Sequence, residues 1–214
     1  YCLANGVIGF VAILTRDRLG ETRAPPAGLA GDVPYTAIAV TVRNEDMGAV
    51  LAPVRALLDA LDAAGAGDRF ALFVLSDTSD PAAATAEERA VAGFRCADRD
   101  PTRVHYRRRV CNDGFKAGNV MDFLDHHAAG FELMLVLDAD SQMSAGAVLH
   151  LVRIMRDTPG LAVAQHLTVG LPAASAFPRL FQYGMRAGMR VWATALTWWQ
   201  GDESCYWGHN AVVR

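Results

Sequence analysis

The chain has 214 residues, which is long enough for one sizeable α/β domain with a full hydrophobic core. Its formal net charge of −3 at pH 7 and the short basic run Arg107-Arg108-Arg109 argue against nucleic-acid binding, which needs a wider basic face. The four cysteines are scattered, with no CxxC pair and no histidine at zinc spacing. We therefore expect free thiols in a reducing compartment and neither a disulfide framework nor a zinc site.

The first residues are almost wholly apolar up to Leu14, and Arg16 and Arg18 follow. Fourteen residues are too few to cross a bilayer, so we interpret 1–20 as the end of a transmembrane helix, with a buried helix as the alternative. Residues 21–34 are rich in Pro, Gly and Ala without periodicity and are typical of a linker. The chain lacks an initiator methionine and ends within a predicted strand. We therefore expect a piece of a longer protein, with its main domain over 35–214 truncated at the C-terminus.

The remaining elements alternate between strands and helices. Short apolar, β-branched runs predict strands at 35–42, 70–75, 104–108, 133–137 and 161–165. Apolar residues at helical spacing predict helices at 50–64, 82–95, 116–127 and 145–157. A long aromatic-rich helix follows Pro178 as far as Trp199, and 208–214 returns as a strand. This alternation predicts an α/β fold with a doubly wound, mainly parallel sheet and flanking helices.

Acidic residues follow three of the predicted strands. They are Glu45 and Asp46, Asp77 and Asp80, and Asp138 and Asp140. Because ligands of open α/β sheets bind at the carboxyl ends of the strands, three such pairs on one edge predict a ligand crevice. The alternative for any single one of them is a helix cap or a turn.

The segment Asp138-Ala139-Asp140 and the segment Phe115-Lys116-Ala117-Gly118-Asn119 together suit a nucleoside diphosphate. Paired carboxylates bind a hard divalent cation, either Mg²⁺ or Mn²⁺, and such a cation binds phosphate oxygens. A metal on Asp140 and the charge of Lys116 would stabilise a departing diphosphate, and Gly118 would let the backbone approach the ligand. These residues predict a nucleotide-sugar transferase, although Lys116 is also compatible with a solvated helix start.

Two further groups of residues leave alternatives open. One arginine of the run at 107–109 would help neutralise phosphate, but the sequence does not indicate which. Aromatic residues cluster near the C-terminus, and they fit core packing, a membrane-interface belt or a platform for sugar rings. We favour sugar contact for Trp207, because it precedes the turn Gly208-His209-Asn210, and we place His209 near the donor site.

Five short motifs resemble, in order, those of the family 2 inverting glycosyltransferases. They are Asn44-Glu45, Leu75-Ser76-Asp77-Thr78, Lys116-Ala117-Gly118-Asn119, Asp138-Ala139-Asp140 and Tyr206-Trp207-Gly208-His209-Asn210. The resemblance covers 35–214. Within the family it is strongest to the membrane enzymes that make the backbone of osmoregulated periplasmic glucans.

The resemblance implies a GT-A fold that transfers glucose from UDP-glucose to a β-glucan with inversion. It places the whole protein in a bacterial inner membrane with this domain facing the cytoplasm. It further implies that Glu45 and Asp77 contact the uridine and that Asp138 contacts the ribose or sugar. Asp140 would hold the metal, and the motif from Lys116 to Asn119 would lie by the nucleotide.

The catalytic base of such enzymes is an aspartate in a later segment, so we expect it beyond Arg214 and expect the chain alone to be inactive. Two alternatives remain for the function. One is a cellulose-synthase-like or other polysaccharide synthase of the same fold. The other is a non-catalytic nucleotide-binding or regulatory module.

Overall fold

The computed structural model describes residues 2–15, 33–201, 203 and 206–214. They divide into two compact units, which we describe separately. The smaller contains the described residues up to 15 and those from 166 to 207, and the larger contains 33–165 and 208–214. Most of the linker predicted at 21–34 and residues 16–20 of the predicted membrane segment lie outside the described residues.

The larger unit alternates strands and helices as predicted. The strands are β1 Thr36–Val42, β2 Phe70–Ser76, β3 Val104–Arg108, β4 Leu133–Asp138, β5 Val163–Gln165 and β6 Ala211–Val213. The helices are α2 Met47–Ala63, α3 Pro81–Cys96, α4 Phe115–His126 and α5 Ala145–Asp157. The smaller unit holds α1 Cys2–Thr15 and α6 Ala176–Gln200. Helix α2 starts three residues earlier than predicted because Asp46 caps it: its carboxylate accepts a hydrogen bond from Gly48 N at 2.9 Å.

The six strands form one sheet in the order β3-β2-β1-β4-β6-β5. Strands β3, β2, β1 and β4 run parallel, while β6 runs antiparallel to both of its neighbours. The prediction of a mainly parallel sheet is therefore confirmed, with β6 as the reversed strand. The chain adds β2 and β3 on one side of β1 and then returns to add β4 on the other side.

Helices cover both faces of the sheet, which explains why the central strands are apolar at nearly every position. Alternate residues such as Ile38 and Val40 belong to the core that includes side chains of α2 and α5. Their neighbours Ala37 and Ala39 belong to a second core that includes Phe123 of α4. Because side chains alternate between the faces of a strand, the two cores confirm the doubly wound arrangement.

A buried ion-pair network joins the segments that precede β2 and β3. The guanidinium of Arg103, 6% exposed, donates to Asp98 at 2.8 Å and to Asp62 at 2.7 and 2.8 Å. Arg55 binds the same Asp98 carboxylate. Burial by itself raises the pKa of Asp98, but the hydrogen bonds from Arg103, the Asp100 amide and Arg55, together with the charge of Arg103, hold the pKa below its usual value.

The smaller unit consists of two helices in close contact. A Cβ at Gly9 of α1 would lie 2.0 Å from the carbonyl oxygen of Val191 in α6, so the two backbones approach each other directly. None of the helices in the described part of the chain has the length and apolar character needed to cross a membrane. Trp198 and Trp199 of α6 are about half exposed, which excludes core packing for these two of the clustered aromatic residues.

We predict that Asp98→Ala lowers the free energy of unfolding by about 3 kcal/mol, because it leaves the buried guanidinium of Arg103 without one of its carboxylates. Denaturant unfolding of the chain measures the loss. Asp68→Ala is the matched control: its side chain is 86% exposed and pairs, within the described residues, with the half-exposed Arg99, so we expect almost no change. Equal losses for the two variants would contradict the role given to the network.

The same network should make unfolding pH-dependent in a defined window. The pKa of Asp98 is lower in the folded chain than its usual value of 3.8. The stability that its charge contributes is therefore fully present above about pH 4 and is lost as the pH falls through the folded pKa. The acid-induced loss should be smaller in Asp98→Ala than in the parent chain.

Candidate active site

A cleft of about 470 Å³ opens at the carboxyl ends of β1, β2 and β4. Strand β1 pairs with β2 on one side and with β4 on the other, so the cleft lies where the chain reverses its direction of strand addition. Such a switch point is where open α/β sheets bind ligands. Six of the predicted site residues line this cleft: Glu45, Asp77, Lys116, Asn119, Asp138 and Asp140.

The acidic residues after the strands divide into two groups. Asp46 and Asp80 are helix N-caps; the carboxylate of Asp80 accepts a hydrogen bond from Ala83 N at 2.7 Å. For these two the capping alternative is the correct one. The other four are the carboxylates of the cleft, so the structure separates the caps from the candidate ligand-binding groups.

Asp77 is held by a two-pronged ion pair with Arg109. The guanidinium donates from Nε at 2.8 Å and from Nη2 at 2.7 Å, and both side chains are at least nine-tenths buried. The hydrogen bond to Asp77 raises the pKa of Arg109. Arg109 also donates to the carbonyl of Phe115 at 3.0 Å, which ties the start of α4 to the cleft. Arg109 is therefore the arginine of the basic run that pairs with a carboxylate of the cleft, and the neutralisation of phosphate by one of the three arginines stays a prediction.

Arg107, by contrast, helps to hold Asn119 in place. Its guanidinium donates to Oδ1 of Asn119 at 2.7 Å, and Nδ2 of Asn119 donates to the carbonyl of Leu75 at 3.1 Å. Desolvation lowers the pKa of Arg107. Asn119 is 1% exposed, so its amide links α4 to the end of β2 while part of the residue lines the cleft.

Gly118 is required by the path of the chain itself. A Cβ at this position would lie 1.9 Å from the carbonyl oxygen of Asp113. In the structure, the group that lies against the backbone of Gly118 is therefore the preceding loop at Asp113. The loop turns sharply there: Gly114 and Phe115 have φ angles of +72° and +50°. A phenylalanine at positive φ is uncommon, and this one is also 74% exposed at the cleft.

Lys116 brings two distant parts of the chain together. Its ammonium group donates to Oδ1 of Asp138 and, at 2.7 Å, to the carbonyl oxygen of Gly208. The turn that contains His209 is thereby anchored beside the cleft. Nδ1 of His209 and Oδ1 of Asn210 are buried and have no hydrogen-bond partner within the described residues. Trp207 belongs to the smaller unit, and its predicted sugar contact stays a prediction.

The carboxylates of the cleft differ in how free they are to bind a cation. Asp138 is engaged by Lys116, whereas Asp140 is exposed. The described residues contain no cluster of three or more His, Cys, Asp or Glu side chains that could hold a metal ion alone. The exposed carboxylate of Asp140, which lines the cleft, is a suitable oxygen ligand for a Mg²⁺ or Mn²⁺ ion.

Sequence reasoning missed the backbone strain around the cleft. The non-glycine residues with positive φ in the described part of the chain are Asn44, Phe115 and Asn210. Asn44 follows β1, Phe115 lines the cleft and Asn210 precedes β6. The two asparagines offered a weak signal, since this residue type adopts such angles readily. Phe115 gave none. Strained positions tend to collect at functional sites.

Comparison with known proteins agrees with this architecture. The model of the family described as glycosyl transferase family 2 matches residues 37–214. The chain therefore belongs to glycosyltransferase family 2. Its fold is of the GT-A type: a mannosyltransferase from Pyrobaculum calidifontis, solved with GDP-Man and Mn2+, superposes with a TM-score of 0.62 at 14% identity. That match covers 99% of this chain and 52% of the other.

Curated relatives within this family are similar to the chain over nearly its whole length. The protein named glucans biosynthesis glucosyltransferase H is 38% identical in Caulobacter vibrioides strain NA1000 / CB15N, over 100% of this chain. The protein of the same name in Rhodopseudomonas palustris strain BisA53 is 34% identical over 98% of this chain. The chain spans about a third of the length of these relatives, 32% and 29% respectively.

We predict that Gly118→Ala destabilises the chain by about 1–3 kcal/mol, because the new Cβ would overlap the backbone carbonyl of Asp113, so the backbone itself would have to shift. The matched control is Gly93→Ala, also within a helix, where a Cβ meets nothing within 4 Å. This control should gain up to about 1 kcal/mol from better helix propensity. Thermal unfolding distinguishes the two, and a neutral Gly118→Ala would contradict the steric argument.

Proposed function

We propose that the chain forms the donor-binding part of an inverting glucosyltransferase. The enzyme transfers glucose from UDP-glucose to a growing β-glucan, the backbone of osmoregulated periplasmic glucans. The observation that carries the proposal is the cleft at the switch point, where Lys116, Asp138 and Asp140 lie together. Family membership and the names of the relatives support it.

The residues of the cleft then have distinct roles. Glu45 and the Asp77 carboxylate bind the uridine, and Asp138 binds the ribose or the sugar. Lys116 presents its positive charge to the diphosphate, and Gly118 and Asn119 hold the backbone beside it. His209 and Trp207 contact sugar units. Asp140 would hold a Mg²⁺ or Mn²⁺ ion, which would supply positive charge against the departing diphosphate.

In this reaction an acceptor hydroxyl loses its proton to a general base and attacks the anomeric carbon as the UDP leaves. The preorganised positive charge of Lys116 stabilises the leaving group without reorganisation, which is where such sites gain most of their rate. We assign the base to no residue of this chain.

We predict that the chain binds UDP-glucose in the presence of Mg²⁺ or Mn²⁺ and that Asp140→Asn weakens this binding at least tenfold. The substitution keeps the shape of the side chain but removes the charge that holds the cation. Calorimetric titration, with and without the metal, measures the effect. Asp59→Asn, an exposed position on α2, is the control and should bind as the parent does.

The choice of donor separates the remaining candidates. Titration with UDP-N-acetylglucosamine and GDP-mannose in the same buffer tests specificity, and a preference for either would reassign the substrate while keeping the fold. A folded chain that binds no nucleotide would contradict the proposed glucosyltransferase function and favour a non-catalytic regulatory module. If Asp140→Asn and Asp59→Asn both bound UDP-glucose equally well with and without the metal, the result would contradict the role of Asp140 as a metal ligand.

We further propose that the whole protein is attached to a bacterial inner membrane, with this chain on the cytoplasmic side. Helix α6 supports the attachment. Its arginines at 179, 186 and 190 lie on one stripe, and the helix contains no acidic residue. Large apolar side chains are exposed elsewhere on it: Phe177, Leu180, Phe181, Trp198 and Trp199. A basic, aromatic amphipathic helix of this kind is typical of a membrane surface.

We predict that the chain sediments with anionic lipid vesicles and that the double variant Leu180→Glu/Phe181→Glu reduces this binding at least tenfold. Acidic side chains would place charge in the apolar face and repel the anionic surface. Leu124→Glu, an exposed leucine on α4 of the larger unit, is the control and should bind normally. Equal vesicle binding by the two variants would contradict a membrane role for α6.

A further inference from the structure

Glu87 is an acidic side chain buried in the larger unit. It lies in α3 with 1% exposure, on the same side of the helix as the buried Ala84 and Val91. Glutamate is almost never fully buried unless its oxygens are satisfied. Glu87 is not among the residues that line the cleft, so its hydrogen-bond partners indicate what it does.

Those partners are three hydroxyl groups from two strands and the loop that follows one of them. Ser76 at the end of β2 donates to Oε2 at 2.6 Å, and Tyr106 of β3 donates to the same oxygen at 3.1 Å. Thr78, two residues beyond Ser76, donates to Oε1. Burial and then the nearby charge of Glu87 raise the pKa of Tyr106 to about 12, so Tyr106 remains a donor at neutral pH.

Two of these hydroxyls also accept hydrogen bonds from backbone groups at the cleft. Oγ1 of Thr78 accepts from the amide of Asn44 at 2.8 Å, and Oγ of Ser76 accepts from the amide of Thr78 at 3.1 Å. Asn44 has a φ of +56°, so its backbone is held in a left-handed conformation. The next residue is Glu45, and Asp77 lies between the two hydroxyl residues. One carboxylate thus connects to both loops that carry the proposed uridine contacts.

The chemistry of this arrangement favours a positioning role over a purely stabilising one. Within the described residues the hydrogen-bond partners of Glu87 are neutral hydroxyls. A buried acid without a cation costs desolvation energy that a well-packed apolar side chain would avoid. The carboxylate provides acceptor capacity: its two oxygens accept hydrogen bonds from three hydroxyl groups. Each O–H bond is thereby oriented towards Glu87, which leaves the lone pairs of the hydroxyl oxygens directed at their own donors.

We propose that Glu87 is a positioning residue for the nucleoside half of the donor cleft. Through Ser76 and Thr78 it sets the loops that carry Glu45 and Asp77, while the diphosphate half at Lys116 and Asp140 is held by other contacts. The inference rests on the proposed function, since it assigns the uridine to this half. It predicts that a change at Glu87 alters recognition of the nucleoside and leaves recognition of the diphosphate unchanged.

The test compares two ligands on the intact chain, UDP and inorganic pyrophosphate, each with Mg²⁺. Glu87→Gln keeps the side-chain shape but has one acceptor oxygen, so at least one hydroxyl loses its acceptor. We expect UDP binding to weaken about tenfold and pyrophosphate binding to stay within twofold of the parent. Glu88→Gln, the exposed neighbour on the same helix, is the matched control and should change neither.

Thr78 provides a second route to the same answer if Glu87→Gln does not fold. Thr78→Val removes the hydroxyl and should cause the same selective loss of UDP binding, whereas Thr78→Ser keeps the hydroxyl and should restore it. Unchanged UDP binding in Glu87→Gln or in Thr78→Val, or an equal loss for both ligands, would overturn the positioning role alone. A parent chain that binds pyrophosphate but no uridine nucleotide would overturn the proposed function and this inference together.

Discussion

Pairing of β1 with β4 is the constraint on which the site depends. The two strands are about ninety residues apart in the chain, yet backbone hydrogen bonds place Thr41 opposite Asp138. On its other side β1 places Val42 opposite Ser76 of β2. The carboxylates that follow these strands therefore meet at one edge. A slip in either register would turn every side chain of the shifted strand to the other face, so the two buried cores maintain the geometry of the cleft.

Charge within the cleft is distributed by specific pairing. Asp77 is paired with Arg109 and Asp138 with Lys116, while Asp140 stays exposed. Two of the cleft's negative charges are thus offset by cations of the chain itself. This pairing makes it possible to bring four carboxylates to one cleft without strong mutual repulsion. It also leaves Glu45 and Asp140 without an ion pair in the described part of the chain, and a cation ligand needs such an unpaired carboxylate.

Much of this architecture follows from local sequence patterns. The apolar run at 133–137 fixes β4, and Asp80 before Pro81 fixes the start of α3, because capping and propensity act over a few residues. Some boundaries differed by two or three residues. Strand β5 begins at Val163 where 161 was predicted, and β6 covers only Ala211–Val213 of the predicted 208–214. These two short strands lie at one side of the sheet, and their ends are set by pairing with distant strands, which a local sequence pattern does not reveal.

Local patterns were enough to predict the order and type of the elements, the edge of the sheet that carries the cleft, and six residues that line it. The packed fold was needed to show which arginine of the basic run reaches Asp77, that Lys116 anchors Gly208, and that Glu87 connects two loops of the site. The physical reason is distance along the chain. Lys116 and Gly208 are separated by 92 positions, so their hydrogen bond depends on the packing of the whole sheet. Periodicity and capping express interactions within one element, whereas the pairing of side chains from different elements is fixed only when those elements pack.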